Sequence, residues 1–236
     1  MTLQRIQKII AQTGKYSRRQ AEQLIKENLV TANGKPVKLG DQANAHSDAI
    51  KVNGKLIPKA AAPIYLAFHK PKSVLSIFKE DHHKRKTLLN FTTNIKLNLT
   101  SVGRLDYFSE GLVLLTNDGS FAQRLNRNKN VVRTYHVKVK GHPDEKQLNR
   151  LKTGARTENV IIKPSSVSLL KKLQNKSLIE INFSGMKAVK VKEYFELKRY
   201  LVERVVQYKI GHLSINNIPS GKYKSLRKSQ IDPYFT

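Results

Sequence analysis

The chain has 236 residues, enough to bury the core of one large domain or two small ones, and 39% of them are hydrophobic. It contains no cysteine, which excludes disulfides and thiolate metal sites, and no apolar run approaching the ~20 residues of a membrane helix. Forty-four Lys and Arg against 17 Asp and Glu give a net charge of +27, a field that suits a polyanion and predicts nucleic acid as the partner.

The N-terminal residues Met1–Arg5 have no apolar core or cleavage site of the secretory kind, so the chain is expected to be soluble and cytoplasmic. Leu3, Ile6, Ile9 and Ile10 recur at helical spacing, and Gly14 ends that stretch. Ser17 then caps a second helix, with Gln20 in the capping-box position and Ala21, Leu24 and Ile25 as its apolar face. Lys8, Lys15, Arg18, Arg19 and Lys26 are left for the opposite faces, and Arg5, Lys8, Arg18, Arg19 and Lys26 are the candidate phosphate contacts. Two short β-type pieces follow, Leu29–Ala32 and Ala49–Val52, each with a tight-turn signal after it, Asn33-Gly34-Lys35 and Asn53-Gly54-Lys55. Pro58–Pro63 reads as a linker, which gives domains at 1–60 and 64–236. The first carries a net +7 and the second +20, so the partner is expected to span both. The basic residues are not gathered on one strongly amphipathic helix, which argues against an anionic membrane.

From Ile64 onward, β-type runs at 64–69, 74–78, 99–102, 111–116, 132–140, 159–162, 166–170, 177–183 and 201–210 alternate with helical stretches. The helices are expected at 118–126, at 143–152 with Pro143 in its first turn, and at 190–198. Helices mixed with mostly antiparallel strands predict an α+β domain. The tail after Lys222 is basic and poor in pattern signals, and is expected to be partly mobile. The seven histidines show no metal-ligand spacing, and no metal site is predicted.

One stretch stands apart, Gly103-Arg104-Leu105-Asp106-Tyr107-Phe108-Ser109-Glu110-Gly111-Leu112-Val113-Leu114-Leu115-Thr116-Asn117-Asp118-Gly119. It sets a carboxylate in a short segment between two β-type runs, in a chain whose excess of cations favours an ionised acid. This stretch resembles the signature of the ribosomal pseudouridine synthases related to RsuA and RluB. Tyr65–Lys72, with its Lys70-Pro71 turn, resembles that family's first catalytic-domain strand, and Val132-Arg133-Thr134-Tyr135-His136-Val137 its basic-x-Tyr-x-Val strand. The first sixty residues resemble the alpha-L, ribosomal-protein-S4-type RNA-binding domain through Arg5–Ala11, Ser17–Ile25 and Val30–Lys35.

The resemblance implies a two-domain enzyme that converts uridine in ribosomal RNA, free or within an assembling subunit, to pseudouridine. Its catalytic domain would be a mostly antiparallel mixed sheet. Asp106 would be the nucleophile, Tyr135 the platform for the target base, and Arg104 a phosphate contact. The reaction is redox-neutral and calls for no cofactor, and the chain is expected to act as a monomer. The family's third motif is altered here. Where it usually reads Glu-Gly-Arg-Asn-Arg-Gln-Val-Arg-Arg-Met-Phe, this chain has Gly185–Phe195, so the arginine that pairs with the nucleophile becomes Lys192. Lys keeps the charge but loses the planar fork. The apolar pocket residue of the next strand falls at Val205, smaller than the usual Leu. These departures leave a second expectation, a weakly active or inactive relative that serves as an RNA-binding ribosome-assembly factor.

Overall fold

The computed structural model describes residues 3–156, 161–184 and 191–234. The chain divides into two compact units, Met1–Ile64 with Thr93–Leu99, and Tyr65–Thr92 with Thr100–Thr236.

In the first unit, strand β1 (Gln4–Arg5) leads into helices α1 (Ile6–Gln12) and α2 (Arg18–Lys26). The short strands are β2 (Val30–Ala32), β3 (Lys35–Pro36), β4 (Gln42–Ala43), β5 (Ile50–Val52) and β6 (Lys55–Leu56). The capping box forms as expected, with Ser17 N donating to Gln20 Oε1 at 2.7 Å and Gln20 N donating to Ser17 Oγ at 3.2 Å. Both Asn-Gly pairs are hairpin turns, because Asn33, Gly34, Asn53 and Gly54 all take positive φ, the twist that matches two paired strands. Ile6, Ile9, Ile10, Ala21, Ile25, Val30, Ile50 and Val52 share one core. Leu3 does not join it and is exposed.

The second unit has, in chain order, β7 (Tyr65–Lys70), β8 (Thr100–Val102), β9 (Glu110–Thr116), α3 (Gly119–Arg127), β10 (Val132–Lys140) and α4 (Glu145–Lys152). Then come β11 (Ala155–Arg156), β12 (Ile161–Ile162), β13 (Ser166–Leu173), β14 (Lys176–Ser184), α5 (Val191–Leu197), β15 (Val202–Ile210), β16 (Leu213–Ser214), β17 (Tyr223–Ser225) and α6 (Lys228–Ile231). Among the described residues nine strands make one sheet, in the order β13-β14-β10-β15-β9-β7-β17, with β16 on β15 and β8 on β9. Among these nine strands, as described, β15 and β9 alone pair in parallel. This is the α+β architecture that the alternating pattern predicts. Every residue of β9 is buried, as befits a strand covered on both faces. One face packs Ala67, Leu112 and Leu114 against Phe121, Ala122 and Leu125 of α3. On the other, Tyr135 and Phe183 meet edge to face, Phe183 meets Tyr194 of α5 likewise, and the Tyr194 hydroxyl donates to the Leu151 carbonyl.

Three expectations are corrected. Residues 74–78 form no strand. Leu75 makes an isolated bridge to Thr87, and Ser76 turns its hydroxyl to the backbone of Leu105, so this segment braces a loop instead of joining the sheet. Pro143 precedes the cap of α4, because the Asp144 side chain accepts from Gln147 N and takes the N-cap position itself. The C-terminal tail is built into the fold. Tyr223–Ser225 pairs with β7, and Ile231 and Tyr234 are buried in the core of α3. Part of the stretch 159–162, and Gly185–Lys190 of the altered third motif, lie outside the described residues.

Candidate active site

The site begins where β7 ends. Leu66, Phe68 and Lys70 occupy one side of that strand by its two-residue period, so an ammonium takes the inward position that an apolar side chain would otherwise fill. Lys70 is fully buried. Its Nζ donates to the carbonyls of Pro71 at 3.1 Å, Asp106 at 3.1 Å and Ser109 at 2.7 Å. Burial drives its pKa down to about 8, against the opposing pull of the Asp106 and Glu110 carboxylates.

The loop between β8 and β9 is tied down residue by residue. Ser76 Oγ donates to the Leu105 carbonyl at 2.8 Å and accepts from Leu105 N at 3.2 Å. Ser73 N donates to the Tyr107 carbonyl at 2.8 Å, and Ser109 N to that of Asp106 at 3.1 Å. Glu110 is nearly buried and gripped by Arg204, with Nε to Oε1 at 2.5 Å and Nη2 to Oε2 at 3.1 Å. At Gly111, φ is +119° and a Cβ would lie 2.3 Å from the Gln207 carbonyl oxygen, so the parallel pairing with β15 admits glycine there. This scaffold holds the backbone of Asp106 while its side chain stays exposed, as does that of Arg104.

Tyr135, on β10, is 2% exposed. Burial pushes its phenol well above the ordinary tyrosine value. Arg133 opposes that, and the charge of Asp106 adds to it, so nucleophile candidate and aromatic ring share one electrostatic neighbourhood. Val205 is buried opposite Val137, two residues from Tyr135, and therefore lies on the same face of the sheet. Arg133 is 3% exposed, and its Nη2 has no hydrogen-bond partner among the described residues and lies 4.0 Å from where a Cβ on Gly103 would be.

Lys192 is placed differently. Val191, Tyr194 and Phe195 form the buried face of α5 and turn Lys192 outward, where its half-exposed Nζ stands 3.6 Å from Glu196 Oε1. In the first unit Arg5, Arg18, Arg19 and Lys26 are exposed and Lys8 is half-buried. Arg19 and Lys26, seven residues apart, share a face of α2.

The sequence reading assigned no role to Lys70, Ser76, Arg204 or Arg133. For Lys70 a signal existed, a cation at the inward period of an apolar strand directly before Pro71. For Ser76 and Arg204 none did, because each acts on a segment distant in sequence.

Comparison with known proteins identifies the family of both parts of the chain. A family model described as RNA pseudouridylate synthase matches residues 64–210, and one described as S4 domain matches residues 4–50. Over 233 residues the chain is 35% identical to "Ribosomal large subunit pseudouridine synthase B" of Bacillus subtilis, covering 97% of this chain and 94% of that protein. It is 32% identical to an uncharacterized RNA pseudouridine synthase of Aquifex aeolicus, covering 98% and 93%. A solved structure titled "Crystal structure of pseudouridylate synthase" superposes with a TM-score of 0.66 at 26% identity, covering 98% of this chain and 99% of that one.

Proposed function

The chain belongs to the RNA pseudouridylate synthase family, an enzyme family, and from that premise we propose that it isomerises uridine in ribosomal RNA with Asp106 as the nucleophile. The observation that carries this reading is the loop from Gly103 to Gly111, whose backbone is anchored at Leu105, Asp106, Tyr107 and Ser109 while the Asp106 carboxylate is left free to meet a substrate. The ribosomal target is supported by the Bacillus subtilis relative and by the basic charge of both domains.

The reaction breaks the N1–C1′ bond of uridine, turns the base, and joins C5 to C1′. The C5 proton leaves to water and N1 takes a proton back, so electrons balance without an oxidant or reductant. As nucleophile, Asp106 would bond to the base or the sugar and be expelled again as C5 joins C1′, so the carboxylate is regenerated. The uridine must leave its stack to reach Asp106. Tyr135 and Val205 then line the floor beneath the base, and Arg104 takes a phosphate. Lys192, paired with Glu196 in the structure, is the proposed counter-ion to Asp106, and its substitution tests that role. Arg5, Lys8, Arg18, Arg19 and Lys26 add phosphate contacts, which supply affinity more than sequence choice.

The test is Asp106→Asn, which keeps shape and removes the nucleophile. With C5-tritiated ribosomal RNA from cells lacking the gene, wild type should release tritium, and the variant should not, with RNA affinity and melting temperature unchanged. Tritium release by Asp106→Asn near the wild-type rate sinks the assignment.

A further inference from the structure

We infer that Phe108 is a stacking platform for the nucleotide next to the target uridine, carried with Tyr107 and Arg85 on a rigid aromatic–cation relay. This rests on the functional reading above and names a specificity contact that the reading does not contain. Phe108 lies two residues after Asp106, and 60% of its surface is exposed. Among the large apolar side chains exposed on the described residues it is the one aromatic; the others are Leu or Ile. A ring in water on a mobile loop would signify little. Here the backbone carbonyls of Asp106, Tyr107 and Ser109, on either side of it, are all hydrogen-bonded, so the ring is held out deliberately by a fixed frame.

The frame extends sideways. Phe108 meets Tyr107 edge to face, with centroids 5.1 Å apart at 77°. The guanidinium of Arg85 stands 5.7 Å from the Tyr107 centroid. Asp81 fixes that guanidinium, accepting from Nε at 2.9 Å on one oxygen and from Nη2 at 2.9 Å on the other, and accepting also from the backbone N–H of His83. A guanidinium carries five N–H donors, so donors remain beyond those given to Asp81. Lys79, Lys84 and Lys86 flank it, all exposed. The assembly therefore presents one apolar ring face and several cations, which is the chemistry of a base and its phosphates.

Placement selects the nucleotide. The Cα of Phe108 lies within about 7.6 Å of that of Asp106, the reach of a trans two-residue step. A ring at that offset stands beside the target base and not under it, since Tyr135 lines that floor. Extruding the uridine strips its neighbour of a stacking partner, and an aromatic ring on the enzyme can replace the loss, for any base.

Two assays with the full chain, comparing wild type, Phe108→Leu and Phe108→Tyr, decide this. The first follows the fluorescence of an oligouridine carrying a single 2-aminopurine, which is quenched when the base stacks. Wild type and Phe108→Tyr should quench it on binding, and Phe108→Leu should bind with the quench lost. The second is tritium release from C5-labelled ribosomal RNA, in which Phe108→Leu should lower kcat/KM by about five- to 150-fold, mostly through KM, while Phe108→Tyr retains it. Melting temperatures should match across the three. A Phe108→Leu protein that quenches and turns over like wild type overturns the proposal and leaves a protein contact for the ring. Failure of wild type to make pseudouridine would instead overturn the functional reading, and the quench comparison would still decide the stacking.

Discussion

Lys70→Met isolates the group that holds the loop of the proposed nucleophile. Methionine nearly matches the lysine stem in length but leaves the carbonyls of Pro71, Asp106 and Ser109 without their ammonium donor. Hydrogen bonds from a charged donor contribute about 1.5–3 kcal/mol each, so three of them amount to roughly 4.5–9. Against this, the buried ammonium carries a desolvation cost. Its pKa of about 8, against the ordinary lysine value of 10.5, corresponds to about 3 kcal/mol. The expected net loss near neutral pH is about 1.5–6 kcal/mol, or a melting temperature lower by roughly 3–24 °C. A nucleophile displaced by as little as 1 Å loses about 100-fold in kcat, which tritium release measures. The pH dependence gives a sharper signature. Between pH 8 and 10.5 the unfolded chain binds more protons at Lys70 than the native one, so this group's contribution to stability rises with pH. Methionine does not titrate, and the raised pKa values of buried tyrosines are common to both proteins and cancel. The stability gap between wild type and Lys70→Met should therefore widen by about 3 kcal/mol across that window. Over the same range wild-type kcat should fall, because a neutral amine has one N–H fewer for its three carbonyls. A gap that is flat or narrowing with pH, or a variant with wild-type kcat, refutes the reasoning.

Gly111→Ala should be destabilised by about 3 kcal/mol, since its Cβ meets the backbone of Gln207 and its φ is unfavourable for alanine; chemical denaturation checks this. Lys192→Ala should reduce tritium release while leaving stability within about 0.5 kcal/mol, because the pair with Glu196 is exposed, and Lys192→Arg should preserve activity. Activity untouched by Lys192→Ala removes this residue from the site. Replacing Arg18, Arg19 and Lys26 together by Ala should weaken RNA binding and flatten its salt dependence by about 0.7 in slope for each lost phosphate contact. An unchanged slope moves the RNA footprint off the first unit.

Local signals in the sequence survived folding, and signals that depend on distant partners did not. The Ser17–Gln20 box, both Asn-Gly hairpins and the strand at 132–140 are decided within a few residues, and each stands where it is expected. The misplaced strand at 74–78 fails for a different reason. Val74 and Ser76 are buried at strand-like spacing, but the partner that fixes Ser76 is the backbone of Leu105, about thirty positions away. The tail after Lys222 looks featureless because its order comes from an edge of β7 and from the apolar core that α3 shares, neither of which its own composition reveals.

The same division explains why the Gly103–Gly119 stretch is long when the proposed chemistry needs a single carboxylate. Leu105 carries the clamp to Ser76, and the carbonyls of Asp106 and Ser109 receive Lys70. Glu110 is the handle for Arg204, and Gly111 lets β15 come close. Leu112 and Leu114 enter the core, and Asp118 caps α3 through Ser120 N and Phe121 N while accepting from the Tyr65 hydroxyl. Each duty constrains one position, so the stretch is recognisable as a unit although its parts act on different neighbours. Phe108 is constrained by none of these duties. A position free of structural work, in a frame this rigid and two residues from the proposed nucleophile, is where one member of a family could change what it recognises without disturbing how it reacts.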